Sequence, residues 1–596
     1  MDRRKFLQHA TYFTVASAST TLVACGGGSG GTATPASGNF RFTHGVASGD
    51  PKAASMVFWT RCVRTSNAPD DISLVLEVST SNTFASLAAS VNLVASSTYD
   101  YTVRAKVTGL TANTVYYYRF VATGDISPIG QSKTAPLDTA NPAEVRFAWM
   151  TCQDWSVNHW AAMEMLAAEN LDFVVHLGDY IYETVGAAFQ SGAAEPAHTK
   201  ITLPNGVAGR DGAISASSLE DYRTLYRTYR SDSRLQEIHR RFPMIAIWDD
   251  HEFSDDCWQD HQTYTNENKQ QTNRRRDATQ AWAEYMPIDF GDVSFDLGKA
   301  GFQNIRIYRD FRFGSLMHLV MTDERLYRDD HLVTESAIAQ LLGSDPVNGN
   351  DFTGTRYFVP QPLLQAYERQ ATAALQRTPS ILGTTQTDWW KQTMKSSTAT
   401  WKVWGNEVTL CNMMIDLRGR APSPYDQLFV VNADTFDGYP SHRAELMNYV
   451  KNQNISNLVA ITGDLHAFQC AVIRDNANPA TGIPVAVDFV AAGISSSSTY
   501  SYFKAGAGTT PLAQLVATPA TWNGILGANN PDFAYIDQDA QGYVTATVTA
   551  NSFTVWFNKI KPLNADGSKP ASPLLKRTKI TVAAGSNRPV VEDNVA

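Results

Sequence analysis

Across 596 residues the chain has no basic block outside its extreme N-terminus, no internal repeat and, past the first 25 residues, no apolar run long enough to cross a bilayer. The first absence, with a net charge of −9 from 49 basic and 58 acidic residues, argues against a nucleic-acid partner. The third leaves the body of the chain without a candidate membrane-spanning helix. What remains, 43% hydrophobic and 18% charged, is ordinary globular composition, enough for a large core and more than one domain.

The N-terminus is not fold. Asp2-Arg3-Arg4-Lys5-Phe6-Leu7 has the form of a twin-arginine export signal, and Leu22-Val23-Ala24-Cys25 resembles a bacterial lipoprotein box. Residues 1–25 are therefore expected to be a signal peptide read by the twin-arginine machinery. Cys25 would then become a lipidated mature N-terminus, placing the protein in the periplasm or on the outer surface. The competing reading is a cut nearby with Cys25 incidental. Residues 26–39, rich in Gly, Ser, Thr and Ala, read as a flexible tether. Cysteine is scarce: beyond Cys25 there are only Cys62, Cys152, Cys257, Cys411 and Cys470, an odd number, so at least one is unpaired, and Cys152 is the candidate.

Residues 40–140 read as a separate all-β domain of short alternating strands, and Val107 to Phe120 resembles the end of a fibronectin-type sandwich, including its tyrosine corner. From about 143 to 560, strands alternate with helical stretches, and 561–596 form a C-terminal segment. The apolar spacing predicts helices over Trp160–Asn170, Leu219–Arg241 and Asn268–Tyr285, and mostly helix over 326–380. The insertion 184–216 is expected to be a surface loop over the site.

The organising stretch is Phe173-Val174-Val175-His176-Leu177-Gly178-Asp179-Tyr180-Ile181-Tyr182-Glu183, a buried strand pattern that ends in polar groups. Three other apolar runs end alike: at Cys152, at Asp249-Asp250-His251 and at Gly463-Asp464-Leu465-His466. All four offer metal-ligand side chains, so they read as one site along the carboxyl edge of an open sheet. His176 and His318 lie inside strands and read as packing residues; His442, after a Gly-Tyr-Pro-Ser turn, is expected at the surface.

The ordered set Cys152, Gly178-Asp179-Tyr180-Ile181-Tyr182-Glu183, Trp248-Asp249-Asp250-His251-Glu252 and Gly463-Asp464-Leu465-His466 resembles the PhoD-like alkaline phosphatases of the calcineurin-like metallophosphoesterases. Phe42 to Pro51, Thr322 to Arg328, Trp401 to Val408 and Asp437-Gly438-Tyr439 fit as well, so the resemblance spans about residues 40–560. It implies an N-terminal fibronectin/Ig-like β-sandwich followed by an α/β metallophosphoesterase sandwich. It also implies ferric iron with one or two calcium ions, and a phosphate ester as substrate. Asp179 stands where the resemblance places the carboxylate shared by both metals. Cys152 and Tyr182, as thiolate and phenolate, suit ferric iron, with His466 as nitrogen donor. Asp250 and Asp464 make a hard site that favours calcium or magnesium. The competing readings are a small buried cysteine and a core tyrosine.

His251 matches the family's catalytic histidine, a proton donor to the leaving oxygen or a stabiliser of developing charge; otherwise it is structural. Arg325 is a candidate phosphate clamp, against a surface ion pair. Asn406 is a candidate contact to the second metal or the phosphate, against a turn residue. Either Asp249 or Glu252 orients His251 or a ligand. The chain departs from the family at Asp255-Asp256, often Asn-Asn, at Phe436, usually Trp, and at Asp532, where His is common. The added acid bears on substrate: a dianionic monoester is repelled more than a monoanionic diester. The leading function is thus an exported phosphatase using metal-activated hydroxide. A phosphodiesterase of phospholipase D type is the alternative, and a non-catalytic lipid-anchored binding protein or an oxidase on the same scaffold stands further off.

Overall fold

The computed structural model describes residues 38–186, 193–209, 212–263, 268–334, 337, 340–341, 357–507 and 512–595. The export signal, Cys25 and most of the tether lie outside them. Among the described residues no helix is long and apolar enough to cross a membrane.

Two large sheets carry the molecule. The first has ten strands in the order Val590–Val595, Leu574–Ala583, Ser552–Ile560, Gly542–Thr549, Glu144–Met150, Phe173–Leu177, Pro243–Ile247, Val46–Gly49, Ser55–Arg61 and Thr102–Thr108. Its centre is parallel, with Phe147 opposite Phe173 and Val174 opposite Met244. The second has seven strands, of which Met317–Met321, Trp401–Asn406, Leu458–Thr462 and Pro484–Val490 are parallel neighbours. Every residue of Phe173–Leu177, Pro243–Ile247 and Leu458–Thr462 is buried, as continuous apolar runs in parallel sheets require. Aromatic rings fill the space between the sheets: Phe173 stacks on Phe313 at 4.2 Å, Trp401 meets Phe553 at 5.6 Å and Phe468 stacks on Phe557 at 4.8 Å.

Residues 40–140 are all β, and the hydroxyl of Tyr116 accepts from the Thr111 backbone N–H at 2.8 Å, as a tyrosine corner does. They do not stand apart, however. One layer, Val46–Gly49, Ser55–Arg61 and Thr102–Thr108, is hydrogen-bonded onto Pro243–Ile247, while Gly130–Lys133, Val115–Ala122, Ile72–Ser79 and Ala89–Ala95 form the other sheet. Gly49 permits the junction, because a β-carbon there would meet the Pro287 carbonyl oxygen at 2.2 Å. Next to it, Asp50 is buried and paired with Arg309 at 2.7 Å, and Arg309 also donates to the Ala246 carbonyl. The segment past 560 likewise continues the first sheet through Leu574–Ala583 and Val590–Val595.

Helices follow the expected stretches with one break. The run from Leu219 divides into Leu219–Tyr229 and Ser233–Arg241, because the Asp232 side chain caps the second helix by accepting from the Arg234 N–H. The first helix opens with a capping box between Ser218 and Asp221. Within 326–380 the described helix is chiefly Gln361–Leu375, preceded by the strand Tyr357–Pro360, while residues 335–336, 338–339 and 342–356 of the stretch expected to be mostly helical lie outside the described residues. The insertion 184–216 holds a small sheet of Thr184–Val185, Val207–Ala208 and Ile214–Ser215.

Candidate metal centre

The loops that leave the strand ends converge from both sheets, not from one. Cys152, Asp179 and Asp249-Asp250-His251 follow strands of the ten-stranded sheet, whereas Asp464 and His466 follow Leu458–Thr462 of the facing sheet. Alternation along one chain cannot reveal which sheet a strand joins, so the site spans the gap between two carboxyl edges. Backbone bonds tie the loops together: Cys152 N–H to Gly178 O at 3.2 Å, Gln153 N–H to Asp179 O at 3.1 Å, and Ser496 N–H to Cys152 O at 3.3 Å. Cys152, Asp179, Asp464 and His466 all adopt positive φ, between 55° and 62°. Non-glycine residues in this region carry strain, which clusters at functional sites. Gly178 sits at φ 101°, where a β-carbon would meet that of Asp249 at 2.4 Å.

Ligand-type atoms of Cys152, Asp179 and His466 lie within 4.8 Å of one another, as do those of Asp179, Asp250 and His251, of Asp249, Asp250 and Asp464, and of Asp250, Asp255 and Asp256. Asp179 and Asp250 belong to neighbouring groups and link them. Tyr182 Oη lies 3.2 Å from His466 Nε2 and 2.7 Å from Ser496 Oγ. His466 Nδ1 donates to the Ser497 carbonyl at 2.7 Å, which leaves Nε2 as the free nitrogen facing Tyr182. Burial holds that imidazole down at about 4, so it is a neutral donor near pH 7.

Charge tests whether these groups suit a metal. Burial and the neighbouring Asp179 push the Cys152 thiol and the Tyr182 phenol well up; burial and adjacent carboxylates do the same to Asp179 and Asp464. Asp249 Oδ2 and Asp250 Oδ1 are buried with no hydrogen-bond donor among the described residues. Crowded anionic donors of this kind are what a multivalent cation reverses, and thiolate, phenolate and imidazole beside carboxylates fit a soft-to-hard metal pair.

Arg325 is not a phosphate clamp. It is fully buried, and its guanidinium donates to Asp249 Oδ1, to Asp434 Oδ2 at 2.6 Å and to Asp464 Oδ1 at 3.2 Å. Its side chain is the counter-ion beneath the carboxylates. Nor does Asn406 reach the cavity: it is buried at a strand end, with Nδ2 donating to Thr462 Oγ1 at 3.2 Å. His442 is buried rather than at the surface, beside Ser380 Oγ and Thr387 Oγ1. His176 is fully buried, and His318 is held by Asp310 and Ser397. All five described cysteines are buried and free.

His251 stands differently. Its Nδ1 lies 2.7 Å from Glu183 Oε2, its ring packs on Tyr182 at 4.2 Å, and its Nε2 is 3.5 Å from Asp255 Oδ1. Burial lowers its basicity, but Asp250, Glu183 and Asp179 outweigh that and hold it well above the ordinary imidazole range. Glu183 therefore orients His251, not Asp249 or Glu252. Asp249 pairs with Arg325, and Glu252 accepts the backbone N–H groups of Asp179, Tyr180 and Asp249 at 3.1, 2.7 and 2.8 Å.

The cavity above these groups has a volume of about 180 Å³. Beyond the donors already named, its walls are Asp154, Asp255, Asp256, Tyr357, Leu465, Ser496, Ser497, Thr499 and Tyr502; neither Lys nor Arg is among its lining residues. No described residue of 184–216 lines it; residues 187–192 and 210–211 of the insertion lie outside the described residues. Asp154, Tyr357, Tyr502 and Glu183 escape sequence reasoning. Glu183 lies within the organising stretch, and its place directly after Tyr182 is the one available signal. Asp532, by contrast, pairs with Arg474 away from the cavity.

Comparison with known proteins agrees over most of the chain. The profile of the family described as PhoD-like phosphatase matches residues 147–557, and that described as PhoD-like phosphatase, N-terminal domain, matches residues 29–136. Alkaline phosphatase D of Bacillus subtilis (strain 168) is 28% identical over 569 residues, covering 93% of this chain and 83% of that protein. A solved structure titled "Structure of PhoD" superposes with a TM-score of 0.73 at 24% identity, covering 96% of this chain and 94% of that one, and so shares the fold.

Proposed function

The chain belongs to the PhoD-like phosphatase family, and from that premise we propose that it is an exported, metal-dependent phosphoesterase of the alkaline phosphatase type. The observation that carries this reading is the convergence of Asp179, Tyr182, Asp250, Asp464 and His466 on a single cavity lined by neither Lys nor Arg, with Cys152 grouped beneath it with Asp179 and His466. Cys152, Tyr182 and His466 with Asp179 would hold ferric iron; Asp250 and Asp464 with Asp179 would hold calcium. Such metals, when bound, neutralise the phosphoryl oxygens and lower the pKa of an attacking water.

The chain's own residues do the rest. His466, fixed by the Ser497 carbonyl, presents one nitrogen in one orientation. Glu183 holds His251 by Nδ1 and leaves Nε2 to face the cavity, where it gives a proton to the leaving oxygen. Arg325 keeps the carboxylates together by offsetting their mutual repulsion from below. One observation favours a diester over a monoester. Asp154, Asp255 and Asp256 add negative charge to walls that hold no Lys or Arg, and a dianion is repelled more than a monoanion. A phosphodiesterase of phospholipase D type is thus the second reading. The twin-arginine signal and Cys25 support export to the periplasm or outer surface with a lipid anchor.

The test is metal analysis with a visible spectrum on exported protein, alongside turnover of p-nitrophenyl phosphate and its bis ester. Iron near one per chain with calcium, and a charge-transfer band lost in Tyr182→Phe, is the expected result. Two zinc ions without colour would overturn the ligand assignment, and turnover of the bis ester alone would select the second reading.

A further inference from the structure

One wall of the cavity has no part in holding metal or moving a proton. Tyr357 and Tyr502 line it, both half-buried, with ring centroids 5.5 Å apart and planes at 47°. Neither ring is a loose surface side chain. Phe503 packs edge-on against Tyr357 at 5.2 Å and lies 5.8 Å from Tyr502, and it is backed in turn by Phe358 at 5.6 Å and Trp522 at 5.1 Å. The two tyrosines are therefore the exposed end of a fixed aromatic cluster. Asp154, Asp255 and Asp256 line the same cavity.

Resting on the phosphoesterase reading, we infer that this wall is the subsite for the ester's organic substituent, and that it selects a flat aromatic ring that bears no negative charge. Fixed tyrosine faces gain from a third ring at stacking or edge-to-face distance and gain little from a flexible alkyl chain. The carboxylates that share the cavity disfavour a second phosphate or carboxylate on the substrate, which disfavours nucleoside polyphosphates. A cavity volume of about 180 Å³ suffices for one compact substituent beside the phosphoryl group.

The test uses non-hydrolysable phosphonates on the full-length protein loaded with iron and calcium. Binding of phenylphosphonate and methylphosphonate is measured by calorimetry and by competitive inhibition. Phenylphosphonate is expected to bind about ten-fold tighter, the stacking of one ring. In Tyr357→Leu and Tyr502→Leu the ratio should fall toward one, with methylphosphonate affinity moving less than about two-fold, while Tyr357→Phe keeps the preference. Equal affinities in the wild type, or a preference that survives both leucine variants, would overturn the subsite. If neither phosphonate binds, the phosphoesterase reading fails and takes the subsite with it, a result distinct from equal binding.

Discussion

Replacing Arg325 by Met separates the two roles that this residue can have. The guanidinium is fully buried and spends its donors on Asp249, Asp434 and Asp464, with Asp250 at 3.8 Å. Met has a similar length and no charge, so Arg325→Met leaves these carboxylates facing one another in a medium that screens poorly. Asp434 keeps Arg328 and His331, but among the described residues Asp249 pairs with no other cation and Asp464 loses its donor. Removing one partner of a buried ion pair costs about 3–5 kcal/mol. The upper part of that range is expected here, because at least two carboxylates are stranded. Arg325→Lys, which keeps the charge but not the planar fork, should recover roughly half of it. The assay is urea unfolding followed by tryptophan fluorescence, with steady-state kinetics on a phosphate ester at saturating calcium. Stability should fall by about 4 kcal/mol while the KM of the surviving native protein moves less than about two-fold. A destabilisation below about 1 kcal/mol with a KM raised ten-fold or more would refute the argument and return Arg325 to the phosphate.

Three further predictions concern other parts of the molecule. Glu183→Gln removes the carboxylate that orients His251 and should lower kcat by about 10²-fold with KM little changed, measured on an ester with a poor leaving group; a change in KM alone would count against the dyad. Gly178→Ala forces a β-carbon to within 2.4 Å of that of Asp249 at a φ of 101° and should cost about 1–3 kcal/mol with a lowered iron content, read by denaturation and metal analysis. His44 is buried with Nε2–H donated to the Arg227 carbonyl and Nδ1 accepting from Thr43, and burial, followed by Arg61 and Arg230, lowers its pKa to about 3. Its neutral form thus supports the fold fully above the unfolded value near 6.5, and that support is lost as pH falls toward 3. Between pH 6.5 and 5 this amounts to about 2 kcal/mol, and a shallower stability–pH slope in His44→Gln is the check.

The strand-end pattern was legible because a parallel strand must be apolar throughout, and a polar group directly after it has only the carboxyl edge to occupy. That is why Cys152, Asp179, Tyr182, Asp250, Asp464 and His466 could be named from spacing and resemblance, and why they meet in space. Arg325 was misread because one chain position does not disclose which distant carboxylates surround it; Asp434 lies 109 residues away. His442 follows a turn signal yet is buried, since Pro440 begins the helix Pro440–Asn452 that carries it inward. The division of strands between two sheets is also invisible to periodicity, which reports burial on both faces and not the identity of the neighbour. Asp232 could have been recognised as a helix start, because an acid before a new helical run is an N-cap signal.

Sheet order has a bearing on how the protein comes to exist. The strand that leads to Cys152, Glu144–Met150, is flanked on one side by Gly542–Thr549, and the strand that leads to His251, Pro243–Ile247, is flanked by Val46–Gly49. The central pair of the site is therefore completed by segments from opposite ends of the chain, nearly 400 residues apart in the first case. A growing chain on the ribosome cannot close that edge until Gly542–Thr549 has emerged. Until then it exposes apolar strands with unpaired backbone groups, the species that aggregates most readily and folds slowest. Assembly of the donor set is consequently a late event of synthesis, and truncation well inside the C-terminal strands removes a metal-binding edge that lies hundreds of residues upstream.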